Sequence, residues 1–261
     1  MRLKHVPAAR GVLWVREGFR CFFAQPLGYT AILALVLFAG VMLAQLPWIG
    51  PLASLALMPT ATLAFLIAGR EQRAGRPVHP GYLIAPWKDA SLRAPLLRLG
   101  LAYGVAVMAC LLVVEWFDGG NMQRLIESIT HAAEAGTPPT LDDAVVSGAF
   151  ASMMLASVLL GLVSLLFWHA PALVIWDRQP IAKALFASTM ACWRGWRAYA
   201  LMGLAWFSIL LLFSLVAQTV LALLGLGGNA LVIAMQPAAL MFMTAFYASL
   251  YANYTDTFEQ D

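Results

Sequence analysis

Hydrophobic positions in this chain come in long unbroken blocks rather than in the alternation of soluble elements. Pro26 to Gly69 contains no Asp, Glu, Lys or Arg, and neither does Ala198 to Thr255. A helix crosses a bilayer core of about 30 Å with roughly 20 apolar residues, so each block has room for two crossings. Leu99–Val114 and Ala144–Trp176 supply one more each. The pattern predicts an all-α polytopic membrane protein with six transmembrane helices in three hairpins. They fall at about 27–47, 51–69, 97–116, 148–176, 199–224 and 229–252, and residues 1–261 read as a single integral membrane domain. No cleavable signal peptide is expected, because the first block is as long as a span and LPWIGP, not a small-x-small site, follows it.

Between the blocks the pattern turns amphipathic. In PAARGVLWVREGFRCFF, Arg10, Arg16, Glu17 and Arg20 share one sector, with Val12, Val15, Phe19 and Phe22 opposite. Residues 1–25 therefore read as an interfacial helix in the headgroup layer, suited to anionic lipid or simply to orienting the first span. A second amphipathic stretch, NMQRLIESITHAAEAG, ends at Gly136, and the Thr140–Asp143 spacing matches a capping box. The fourth helix is then expected to start near Leu141 and run to Trp176, about 54 Å at 1.5 Å per residue. Its first turns would join a helical cap over residues 117–147.

Two landmarks recur at nearly one offset. GWRAY at Gly195 repeats GFRCF at Gly18, and Pro237 in helix six matches Pro59 in helix two. With Pro171 in the fourth helix, this points to three related hairpins. Each proline removes a backbone donor and crowds the preceding turn, so Pro59, Pro171 and Pro237 are expected helix kinks. GLAYG, Gly100 to Gly104, is a close-packing glycine pair that also allows a dimer contact.

Charge adds direction. Hydrophobic residues make up 62% and charged residues only 11%, against about 25% charged in soluble domains. Of the 16 Lys and Arg residues, all but Arg124 fall on one side of the six-helix arrangement. Cations are retained in the cytoplasm, so both termini are expected there and residues 117–147 become a periplasmic cap. The segment Glu115 to Asp143 sets six acids against one arginine, a balance of −5. The overall charge of +3 thus conceals a polarity across the membrane and gives no reason to invoke nucleic acid. Trp48 and Trp116 mark the outer interface, and Trp87, Trp176, Trp193 and Trp196 the inner one.

Candidate chemistry is sparse. Glycine loops for phosphate, His-x-x-x-His or Cys-x-x-Cys ligands, serine turns and acidic pairs inside spans do not occur, and Cys21, Cys110 and Cys192 are scattered. No catalytic residue, cofactor or metal site is assigned, and the chain is not expected to be an enzyme. The candidate polar intramembrane contacts are His169, Gln218 and Gln236, helped by Ser157, Ser164, Ser208, Ser214 and Thr219. His169 sits in LFWHAPALVIWDRQP, two residues before Pro171, which frees a carbonyl near residue 167. Its imidazole is a candidate partner for that local polarity or for Gln236. A substrate, proton or lipid headgroup contact is the functional alternative.

Together, ARGVLWVREGFRCFFAQP, the proline-bearing second, fourth and sixth helices and WRGWRAY resemble a family of uncharacterised proteobacterial six-pass inner-membrane proteins. The pattern also resembles the membrane domain of glycerophosphodiester phosphodiesterases, whose hydrolysis uses a separate soluble domain. The resemblance implies a bacterial inner-membrane location and carries over no catalytic residue. The expected function is an accessory or scaffold protein that organises a membrane complex or local lipid. Its expected partners are the bilayer, anionic lipid at the cytoplasmic face and a membrane protein. The alternative is a transporter or flippase-like protein for an apolar or lipidic substrate.

Overall fold

The computed structural model describes residues 3–135, 137, 142–226 and 228–259. Within this range the ordered elements are all helices, joined by short turns and loops. α1 (Arg10–Ala24) precedes α2 (Pro26–Ala44), the first span. α3 (Gly50–Ala56) and α4 (Met58–Arg73) form the second, α6 (Ala90–Asp118) the third, and α8 (Asp143–Phe167) with α9 (Ala170–Ile175) the fourth. α11 (Trp196–Leu223) is the fifth, and α12 (Gly228–Ala248) with α13 (Leu250–Thr257) the sixth. A 3₁₀ turn (Pro80–Leu83) and α5 (Ala85–Lys88) join α4 to α6, α7 (Asn121–Ala135) joins α6 to α8, and α10 (Ile181–Arg194) joins α9 to α11. Six of these helices or helix pairs are long and apolar enough to cross a membrane.

Successive spans pack in pairs, α2 on α3, α6 on α8 and α11 on α12. With six crossings, both termini lie at one end of the bundle and α7 at the other. Local sequence sets the joints. Asp89 caps α6 by accepting the Ser91 N–H at 2.9 Å, and Gly119 ends it in the left-handed region at φ 56°. Gly136, Thr140 and Leu141 lie outside the described residues. Asp142 caps α8, accepting from the Ala144 N–H at 2.9 Å.

The prolines act differently from one another. Pro59 and Pro171 each stand in the first turn of a new helix, α4 and α9, where the missing N–H costs nothing. Pro237 lies inside an unbroken α12. The fourth span is therefore two helices, α8 and α9, which meet at Trp168 and His169.

α1 also departs from its expected face. Its buried stripe is Gly11, Trp14, Val15, Gly18 and Phe22, whereas Val12 is 50% exposed. α1 is wedged across α11 and α12 rather than lying free on the surface. A side chain at Gly11 would meet the Ala198 carbonyl, and one at Gly18 the Ala245 carbonyl. Glycine lets the helix axes approach until backbone touches backbone. Gly100 and Gly104 likewise face α3, at Ala56 and Leu52. That pair is used within the chain.

Burial is uneven along the spans. The terminal-end segments supply most of the core: Tyr29 to Val36, Thr60 to Ile67, Leu92 to Leu99, Phe167 to Ile175, Ala198 to Trp206 and Phe242 to Phe258. At the far end, apolar side chains such as Phe38, Leu112, Phe150, Val158, Leu212 and Ile233 are exposed.

Candidate functional site

The clearest concentration of interior polar groups surrounds the break between α8 and α9. In a continuous helix the His169 N–H would bond the Leu165 carbonyl. Here the Ser188 hydroxyl of α10 stands in that gap, accepting from the His169 N–H at 3.0 Å and donating to the Leu165 carbonyl at 2.9 Å. A side chain inserted into the backbone ladder is one of the few physical causes of a sharp helix kink. It is Ser188, not the imidazole, that satisfies the opened backbone.

The imidazole points elsewhere. His169 is 2% exposed, and its Nε2 lies 2.7 Å from the Tyr199 hydroxyl. Tyr199 gives its one phenolic proton to Asn253 Oδ1 at 3.0 Å. It can then only accept from His169, which assigns the ring proton to Nε2. Asn253 Oδ1 also accepts from Trp168 Nε1 at 3.3 Å, and Thr257 Oγ1 donates to the Asn253 carbonyl at 2.8 Å. Phe258 stands edge-on to the imidazole at 5.0 Å between centroids. One network thus ties together the α8–α9 break, α10, α11 and α13.

Gln218 and Gln236 do not join it. Both are exposed, and Gln218 donates to Ser214 on its own helix at 3.0 Å. Ser157, Ser164 and Thr219 each bond the carbonyl four residues earlier. These far-half groups satisfy themselves locally, and the ring partner of His169 is Tyr199 rather than Gln236. Sequence reasoning passed over Ser188, Tyr199 and Asn253. Asn253 carried a usable signal: an amide near the end of a charge-free block needs a buried partner.

Beside the network, Pro59 and Pro171 line one cavity of about 180 Å³, together with Tyr103, Phe167, Phe246 and Tyr247. His169 is not among its lining residues. Burial also pushes the Cys192 thiol, on α10, up to about 12, so it stays protonated and is a poor nucleophile.

At the terminal end the two chain ends are clasped. Asp256 Oδ2 accepts from Arg10 Nε and from Trp14 Nε1, both at 2.7 Å. Arg73 bridges Glu17 at 3.0 Å and Thr255 Oγ1 at 3.2 Å. The Lys4 N–H donates to the Thr257 carbonyl at 3.0 Å, next to a Leu3–Phe258 bridge. Arg70 covers the ring of Trp176 at 5.1 Å, so that tryptophan packs inward. Arg16, Arg20, Lys183, Arg194 and Arg197 remain outside every salt bridge among the described residues.

Among known proteins, the chain is similar to one from Burkholderia thailandensis named "Probable inner membrane protein". The two are 31% identical over 260 residues, which cover 99% of this chain and 94% of the relative. No family model matches the chain, and no solved structure matches it.

Proposed function

We propose a role from one premise: the chain belongs to the family of that inner membrane protein, and is itself a multi-pass protein of the inner membrane. The role is that of an accessory or scaffold protein that organises local lipid or a membrane complex, without enzymatic activity. One observation carries it. The concentrated polar chemistry of the interior, at His169, is consumed by bonds that fix the fold, while Gln218 and Gln236 are exposed and outside that network. A passage for substrate needs groups free to exchange partners, and these are not.

The cations left unpaired at the terminal end fit anionic headgroups, each worth about 1 kcal/mol near a charged surface. This reading keeps both termini in the cytoplasm and α7 in the periplasm, and cysteine labelling at Lys183 and Glu134 in intact cells tests it. The resemblance to the membrane domain of glycerophosphodiester phosphodiesterases belongs to the same proposal, as a lipid-facing module without the hydrolytic part.

Transport of an apolar or lipidic substrate is the second reading, favoured by the cavity that Pro59 and Pro171 share. Its volume of about 180 Å³ falls below the roughly 300–1,000 Å³ of ordinary ligand pockets, which ranks it second. The test is native mass spectrometry of the protein in native-lipid nanodiscs, with wild type beside Thr62→Leu, which crowds the shared cavity at one of its lining residues. A stoichiometric protein partner, or a set of anionic lipids, retained by both supports the scaffold role. A single metabolite or lipid that is lost in Thr62→Leu overturns it in favour of transport.

A further inference from the structure

At the terminal end the acids Glu17, Glu71, Asp89 and Asp256 are already paired, with Arg10, Arg70, Arg73, Arg76 or Arg178. That leaves the corner where α10 turns into α11 cationic. Arg194 closes α10, and Arg197 stands in the first turn of α11, which carries no acid. Both residues are exposed, and neither enters a salt bridge among the described residues.

The two arginines line a cavity rather than a flat surface. With Trp196 they form one wall of a cleft of about 310 Å³, and His5, Val6 and Ala8 of the N-terminal segment form the other. No carboxylate among the described residues lines it. The Arg197 guanidinium lies over the Trp196 ring, 5.6 Å from its centroid, which holds its planar fork in place. Two such forks in one cleft match the oxygens of a phosphate, since each can give a pair of parallel N–H···O bonds.

The surroundings of the cleft decide where that phosphate comes from. Trp193 and Trp196 are exposed, as is Phe186 on α10, the arrangement of an aromatic belt at headgroup level. From Trp196 an exposed stripe of Ala200, Leu204, Phe207 and Leu211 continues along one face of α11. Trp196 to Leu211 spans roughly 22 Å at 1.5 Å per residue, more than half of a bilayer core of about 30 Å. A soluble phosphate has no use for such a track, whereas a phospholipid has acyl chains to lay on it.

We propose that this cleft is a headgroup site for an anionic phospholipid, with the phosphate between Arg194 and Arg197 and an acyl chain along α11. The inference rests on the lipid-organising part of the role above and sharpens it, from diffuse attraction to one site.

The test uses the full chain in phosphatidylcholine nanodiscs doped with phosphatidylglycerol, with retained lipids counted by native mass spectrometry. Wild type is expected to keep phosphatidylglycerol over phosphatidylcholine by about tenfold, the scale of two arginines at a charged headgroup. Arg194→Gln combined with Arg197→Gln, at exposed positions, is expected to abolish the preference. Ala8→Phe, which fills the cleft with both arginines in place, is expected to abolish it too. Arg16→Gln combined with Arg20→Gln removes two unpaired cations of α1 that do not line the cleft, and is expected to leave the preference nearly unchanged.

Equal losses in the two double variants, or a preference unchanged without Arg194 and Arg197, overturn the site and leave the lipid-organising role standing. No preference in wild type overturns the site together with the anionic-lipid part of that role. Displacement of phosphatidylglycerol by glycerol 3-phosphate as readily as by another anionic phospholipid puts recognition in the phosphate alone and overturns the lipid assignment.

Discussion

The two ends of this bundle are built from the same kinds of residue and packed differently. At the terminal end, α1 inserts its glycine stripe between α11 and α12, and a hydrogen-bond network joins His169, Ser188, Tyr199 and Asn253. At the far end, α8 packs on α6 and α7, and α11 on α12, while Phe150, Val158, Leu212 and Leu215 stay exposed. Lipid tails are as apolar as leucine, so nothing hydrophobic pulls helices together inside a bilayer. Close backbone approach and interhelical hydrogen bonds must do it. The terminal half has both. In the far half Ser157, Ser164 and Thr219 bond their own helices instead.

The comparison breaks first at Gly18. Gly18→Leu sets a side chain against the Ala245 carbonyl and is expected to prevent folding, read as loss of a monodisperse protein in detergent. Leu173→Ala, at a fully buried position, is expected to cost about 2–4 kcal/mol in an unfolding titration in mixed micelles. Ser188→Ala leaves the His169 N–H and the Leu165 carbonyl without their bridge and is expected to cost about 1–3 kcal/mol. The same titration checks it, and a cost near zero would mean that the kink closes into an ordinary helical bond.

How much of this was legible follows from the kind of signal each part leaves. Six spans were visible because a charge-free block is a one-dimensional property. Pro171 drew attention to the fourth span for the same reason, since proline carries its constraint locally, but the Ser188 hydroxyl that stands in the break comes from α10. The polar network was not, because Ser188, Tyr199 and Asn253 are separated by up to 65 positions in sequence and meet only when α10, α11 and α13 converge. The α1 stripe was misread because hydrophobic periodicity gives no weight to glycine. Gly11 and Gly18 contribute by what they lack, which a hydropathy pattern cannot register. His169 stands out in the sequence as a lone imidazole in an apolar run, but its partner depended on the same unseen convergence.

The clasp of the chain ends is a weaker test. Asp256→Asn removes the charge that holds Arg10 while leaving an oxygen for Trp14 Nε1, at a pair whose side chains are 31% and 26% exposed. The expected loss is about 1 kcal/mol, shrinking as salt is raised, because partly exposed pairs are screened. Insensitivity to salt would mean that the Trp14 bond, not the ion pair, closes the clasp.

The smallest expected effect is the most discriminating. Leu212 is 64% exposed on the far half of α11, so Leu212→Ala exchanges contacts with lipid for other contacts with lipid. Its cost is expected to stay within about 0.5 kcal/mol, as for substitutions that touch nothing packed. The contrast with Leu173→Ala then measures the packing difference directly, one leucine against another in the same micelle. Equal costs for the two would mean that the far halves close on each other in the membrane. The exposed face of α11 would then be a protein contact rather than a lipid one.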